Sequence, residues 1–264
     1  MAINGIKIIE KPKYSIFYIE HLSDEFKEII RIQLKGIWNG FAEADSLPRF
    51  YSYKNTLTEF IDRYNSKSSN IKKGMIGELI AHLILNHQDN GLSSLSILKN
   101  KEEKSIKKGF DIIYCDIVNN KLWYSEVKSG NNGKGSHNST AYNNILLNRA
   151  KTGISTMITE KRNSLWESAL IDVSLVINEN DGRLNLKQLL SDDSPNLNSN
   201  QKKNVILISS LYHNLSDEIE EISVSNFLDN TVIEDIFEEV IIISIQKETY
   251  KSVADFLSDE MLTN

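Results

Sequence analysis

Apolar residues alternate loosely in "YSIFYIEH" (14–21), then recur every three to four positions in "SDEFKEIIRIQLKGIWNGF" (23–41). The first spacing predicts a strand and the second an amphipathic helix. Ser23 stands where an N-cap belongs, with Asp24 and Glu25 in the first turn, where the helix dipole favours acids. After a loop at "SLPRFYSYKN", a short helix is predicted over "TLTEFIDRYNS". "KKGMIGELIAHLILNHQ" is apolar nearly all round and predicts a buried helix beginning near Lys73. "VILISSLYH" and "VIIISIQ" are β-branched runs that suit central strands. "NILLNRAKTGISTMITEKRNSLWESALIDV" reads as one or two helices, and "TYKSVADFLSDEML" as the last helix. Asp192–Asn204 reads as a polar loop. "GNNGKGSHNSTAYNN" (130–144) reads as a flexible loop.

Between these lies "GFDIIYCDIVNNKLWYSEVKSG" (109–130), two apolar runs around Asn119-Asn120, the pattern of a β-hairpin. Pairing Val118 with Lys121 sets Asp111 opposite Lys128 and Ile113 opposite Glu126. Side chains alternate between faces, so Asp111, Glu126 and Lys128 share one face. The two carboxylates are then diagonal neighbours, roughly 7–8 Å apart at Cα. A four-residue turn preserves this face, whereas an odd-length turn or a bulge destroys it.

The buried helix adds Glu78 and His82, four apart and so on one helical side. A carboxylate on a buried helix needs a partner. Carboxylates grouped with a lysine suit phosphodiester hydrolysis: Asp111 and Glu126, with the Val127 carbonyl, would hold Mg²⁺, with Mn²⁺ as a substitute, while a metal, a lysine or a bound water would serve Glu78. Lys128 would orient water or offset developing charge. Blander readings stand beside this one. Glu126 and Lys128 also fit a solvated ion pair, Asp111 a turn residue, and Glu78 an acid near a helix N-terminus. His82 reads as a core histidine and Cys115 as a small buried residue.

Composition alters the picture at two points. With 264 residues, 40% of them hydrophobic, the chain suits one large domain or one domain with a small extension. No apolar run approaches a membrane span, and one cysteine excludes internal disulfides and a Cys-rich zinc site, which fits a cytoplasmic protein. The net charge of −6 is unevenly spread: −1 over 1–62, +8 over 63–165 and −13 over 166–264. A polyanion is attracted to the middle although the whole chain is acidic. Lys99, Lys101, Lys104, Lys107 and Lys108, and beyond them Arg149 and Lys151, are candidate contacts for DNA phosphates. The acidic half is a candidate docking face.

Glu78 on a helix, Asp111 opening a strand and "EVK" (126–128) on the next strand resemble the core of the PD-(D/E)XK nucleases, with Phe110 where the family usually has proline. More narrowly, "KKGMIGELIAHLIL", "KKGFDIIYCD", "LWYSEVKSG" and the late strands resemble the HamA family, the nuclease subunits of Hachiman antiphage defence, over roughly residues 60–250. The resemblance implies an α/β restriction-endonuclease-like core with a mixed central sheet flanked by helices. It places the nuclease-like domain at 63–264 and an N-terminal α/β extension, packed on it, at 1–62. It further implies a Mg²⁺-dependent deoxyribonuclease with metal-site roles for Asp111, Glu126 and Glu78 and a catalytic Lys128. DNA and a superfamily 2 helicase are the implied partners, with activity restrained in the complex. The alternative within the same fold is a catalytically silent subunit that docks on or regulates the helicase.

Overall fold

The computed structural model describes residues 3–88, 91–99, 109–131, 137–197 and 201–263. The two β-branched runs lie at the middle of one mixed sheet, as β6 (Asn204–Tyr212) and β7 (Val240–Lys247). Parallel neighbours flank them: β5 (Lys121–Asn131) beside β6, and β2 (Tyr14–Ile19) beside β7. Strands covered on both faces need apolar residues at nearly every position, which is why these two read as continuous runs. Antiparallel strands complete the edges: β1 (Ile6–Lys11) on one side, β4 (Ile112–Asp116) and β3 (Leu92–Ser94) on the other. The order is β1-β2-β7-β6-β5-β4-β3. The extension expected over residues 1–62 therefore contributes strands to the sheet itself.

Helices cover both faces. On one lie α1 (Asp24–Asn39), α3 (Tyr53–Asn65), α4 (Ser69–His87) and α9 (Lys251–Thr263), whose Phe26, Leu57, Leu79 and Leu257 join a core with Ile206, Ile208, Ile243 and Ile245. On the other lie α5 (Ser139–Thr159), α6 (Asn163–Val176), α7 (Asn180–Asp192) and α8 (Glu221–Ile233), packed on Val205, Leu207, Ile242 and Ile16. The alternation of β6 and β7 residues between the two cores is the period-two rule at work. Ser23 caps α1 as expected, its hydroxyl accepting from Phe26 N at 3.2 Å.

Several expectations are corrected. The hairpin turn spans four residues, 117–120, not two. α4 begins at Ser69, ahead of Lys73. Of the loop expected at 130–144, the ends belong to β5, which runs to Asn131, and to α5, which starts at Ser139, and residues 132–136 lie outside the described residues. α7 takes up residues through Asp192. β1, α7, α8 and the short α2 (Phe41–Ser46) were not visible in the pattern. Lys101, Lys104, Lys107 and Lys108 lie outside the described residues, and Lys99 is paired with Glu59 at 2.8 Å.

Several acids of the acidic half are paired with lysines of the chain. Lys7 pairs with Glu218 at 2.7 Å and Lys11 with Glu221 at 3.5 Å. Lys13 and Lys121 both meet Glu239, at 2.5 and 2.6 Å, and Lys151 meets Glu234 at 2.6 Å. Cys115 is buried in the α5-side core, where burial and then the Asp116 charge push its thiol up to about 11. No helix among the described residues is long and apolar enough to cross a membrane.

Candidate active site

The β4–β5 ladder runs from Asp116↔Lys121 to Ile112↔Ser125. Asp116 shapes the turn, accepting from Asn119 N at 3.0 Å and from Asn119 Nδ2 at 2.7 Å, while Asn120 takes the left-handed φ of 55°. The next step along this register sets Asp111 against Glu126, where the two-residue turn would have set it against Lys128. A slip of two leaves every side chain on its own face. Ile113, Cys115, Leu122 and Tyr124 lie in the α5-side core, so Asp111, Glu126 and Lys128, which share their parity, turn to that side as well. The predicted shared face therefore holds although the predicted register does not.

Asp111 Oδ2 accepts from Val127 N at 2.7 Å, which locks its carboxylate across the end of the ladder. Asp111 also hydrogen-bonds to the Glu126 side chain. Lys128 donates to Glu126 Oε1. Glu126 is only 6% exposed. Burial, with the Asp111 charge second, pushes its carboxyl up to about 8, against the pull of Lys128. Burial also works against the Lys128 ammonium, but the charges of Glu126, Asp111 and Glu78 outweigh it and hold Lys128 above the ordinary lysine value. Glu78 projects from α4, on the opposite layer, and its charge still reaches Lys128. His82 is fully buried within α4's core-facing run, as the core reading expected.

One contributor escaped the pattern. Gly153, inside α5, lies directly over Glu126: a Cβ there would stand 3.0 Å from Glu126 Oε1. A glycine within a helical run is the only sequence signal for such an approach. Tyr142 of the same helix lies over Gly130 of β5. Of the two α5 cations singled out as phosphate contacts, Lys151 is engaged by Glu234 and lies 5.5 Å from the Phe227 ring centroid, while Arg149 is exposed.

Two carboxylates in hydrogen-bond contact, one buried and reluctant to ionise, are a donor set that a divalent cation suits: the added positive charge offsets the burial and the Asp111 repulsion that raise Glu126. Among the described residues no group of three His, Cys, Asp or Glu could hold a metal. The three-acid cage expected from Glu78, Asp111 and Glu126 is thus not formed. Mg²⁺ does not require one, since it is commonly held by one or two carboxylates, with waters and substrate phosphates filling the remaining positions.

A family model described as HamA matches residues 3–261. No curated protein matches the chain.

Proposed function

We infer, since the chain belongs to the HamA family, that it serves Hachiman-type antiphage defence as a metal-dependent DNA nuclease working beside a superfamily 2 helicase. The observation that carries this reading is the apposition of Asp111 and Glu126 with Lys128 bonded to Glu126. A helix acid, a strand aspartate and E-x-K on the next strand support a PD-(D/E)XK plan for the core.

Asp111 and Glu126 would hold Mg²⁺ or Mn²⁺, with the Val127 carbonyl as a further oxygen. Such a cation, when bound, neutralises charge on the scissile phosphate and lowers the pKa of an attacking water. Asp111 is held ready by the Val127 N–H. Lys128, a compact charge, orients water and offsets the charge that develops on the phosphate oxygens. Glu78 acts at one remove, helping to keep Lys128 protonated.

The silent docking subunit finds less support. Of the acids in Glu218–Glu221 and Glu234–Glu239 that would form such a docking face, Glu218, Glu221, Glu234, Asp235 and Glu239 are paired with the chain's own lysines.

Plasmid cleavage in Mg²⁺ tests the reading. Glu126→Ala and Lys128→Ala should each lower the rate at least about a hundredfold, with circular dichroism unchanged, and chelation should abolish it. A wild type no more active than both variants, in any divalent metal and without the helicase, would end the proposal.

A further inference from the structure

Lysines elsewhere in the chain are mostly held by carboxylates, as at Lys7, Lys13, Lys99, Lys151 and Lys203. One corner differs. α4 starts behind Ser68, and no side chain caps its first N–H groups. Lys73, in its first turns, donates to the neutral Asn131 Oδ1 at 2.7 Å, and Lys72 lies 4.9 Å from the Tyr64 ring centroid. Neither forms an ion pair among the described residues.

The four parallel strands end in one row beside this turn: Ile19, Lys247, Tyr212 and Asn131 stand side by side. The parity that puts Ile243 and Ile245 in the α4-side core puts Lys247 on that side too. Tyr212, its cross-strand neighbour, donates its hydroxyl to the Lys73 carbonyl at 3.1 Å, which ties the row to α4's first turns. Lys247 is only 4% exposed and its amine meets no hydrogen-bond or carboxylate partner among the described residues. Its charged neighbour is the exposed Glu248, and burial pulls its pKa below the ordinary lysine value.

A buried cation without a counter-ion is unfavourable until an anion joins it. Helix N-termini supply N–H groups to phosphates. Ligands of open sheets gather beyond the carboxyl ends of parallel strands. We propose that this corner binds the phosphates of a nucleic-acid backbone, with Lys247 and Lys73 as its cationic ligands. The proposal rests on the nuclease reading for its substrate: Asn131 is three residues past Lys128 on β5, about 10 Å along the strand at ~3.3 Å per residue, and because Lys128 faces the α5 side and Lys247 the α4 side, one bound strand reaches both by passing over the ends of the strands.

Binding, read apart from cleavage, tests it. The full chain is titrated in EDTA against fluorescein-labelled single-stranded and duplex oligonucleotides, with and without a 5′-phosphate, over a series of salt concentrations. Lys247→Gln and Lys73→Gln should each weaken binding about tenfold and lower the slope of log affinity against log salt by about one. Lys187→Gln, on α7, should leave both unchanged. Wild-type affinity and slope in both corner variants would overturn the proposal, and so would a loss confined to 5′-phosphorylated ends. If Lys247→Gln misfolds, Lys73→Gln on the half-exposed turn decides. A wild type that binds through these lysines but never cuts refutes the nuclease reading and leaves the corner standing. One that cuts while both variants bind normally does the reverse.

Discussion

Glu126 is a carboxyl whose surroundings resist its ionisation. Its carboxyl, ordinarily near 4.5, is raised to about 8 by burial and by Asp111. Between those values the folded chain holds a proton that the unfolded chain has lost. In the absence of divalent cations, this group's contribution to stability is therefore full below about 4.5 and is lost as pH rises through about 8. Thermal unfolding in EDTA should show that decline, and Glu126→Gln should flatten it. Mg²⁺ competes with the same proton, so its stabilising shift should be larger above pH 8 than near pH 6; an equal shift at both would separate Glu126 from the metal. Asp111, Glu126 and Lys128 were legible because strand parity is a property of spacing alone. The bond from Val127 N to Asp111 was not, since it depends on where the ladder stops.

Among the elements, α5 is the one whose importance the pattern concealed. Gly153 permits close packing over Glu126, although glycine inside a helix costs about 1 kcal/mol relative to alanine. Gly153→Ala should therefore change the melting temperature little, since gained helix propensity offsets the contact at 3.0 Å. It should still slow cleavage at least about tenfold by displacing the carboxylate. Equal rates would show that the approach is packing alone. The same scale explains the missed elements. β1, "IKIIEK", is an edge strand with charges at Lys7, Glu10 and Lys11, so its alternation is weak. α7, "NDGRLNLKQLLSD", is short and polar on most positions. The start of α4 hid because Ser69 and Asn70 carry no apolar signal. The turn length was misjudged because Asn119-Asn120 resembles a two-residue turn, whereas Asp116 bonds to Asn119 and closes a wider one.

Across the whole molecule, three acids of the −13 segment 166–264, Glu218, Glu221 and Glu239, pair with lysines of the N-terminal hairpin and the β4–β5 turn. Segment totals carry the sign of each region but not its partner. Exposed ion pairs contribute little each, so Glu239→Gln, which releases both Lys13 and Lys121, should lower the melting temperature by a few degrees at most. A larger fall would mean that these ties hold the β1–β2 edge in place. The sequence holds one cysteine, and Cys115 is shut within the α5-side core with a thiol that ionises reluctantly. Maleimides and other sulfhydryl reagents should therefore leave the native chain untouched. A fluorophore or spin label attached to a newly introduced surface cysteine would report from that position alone, with the natural thiol still in place.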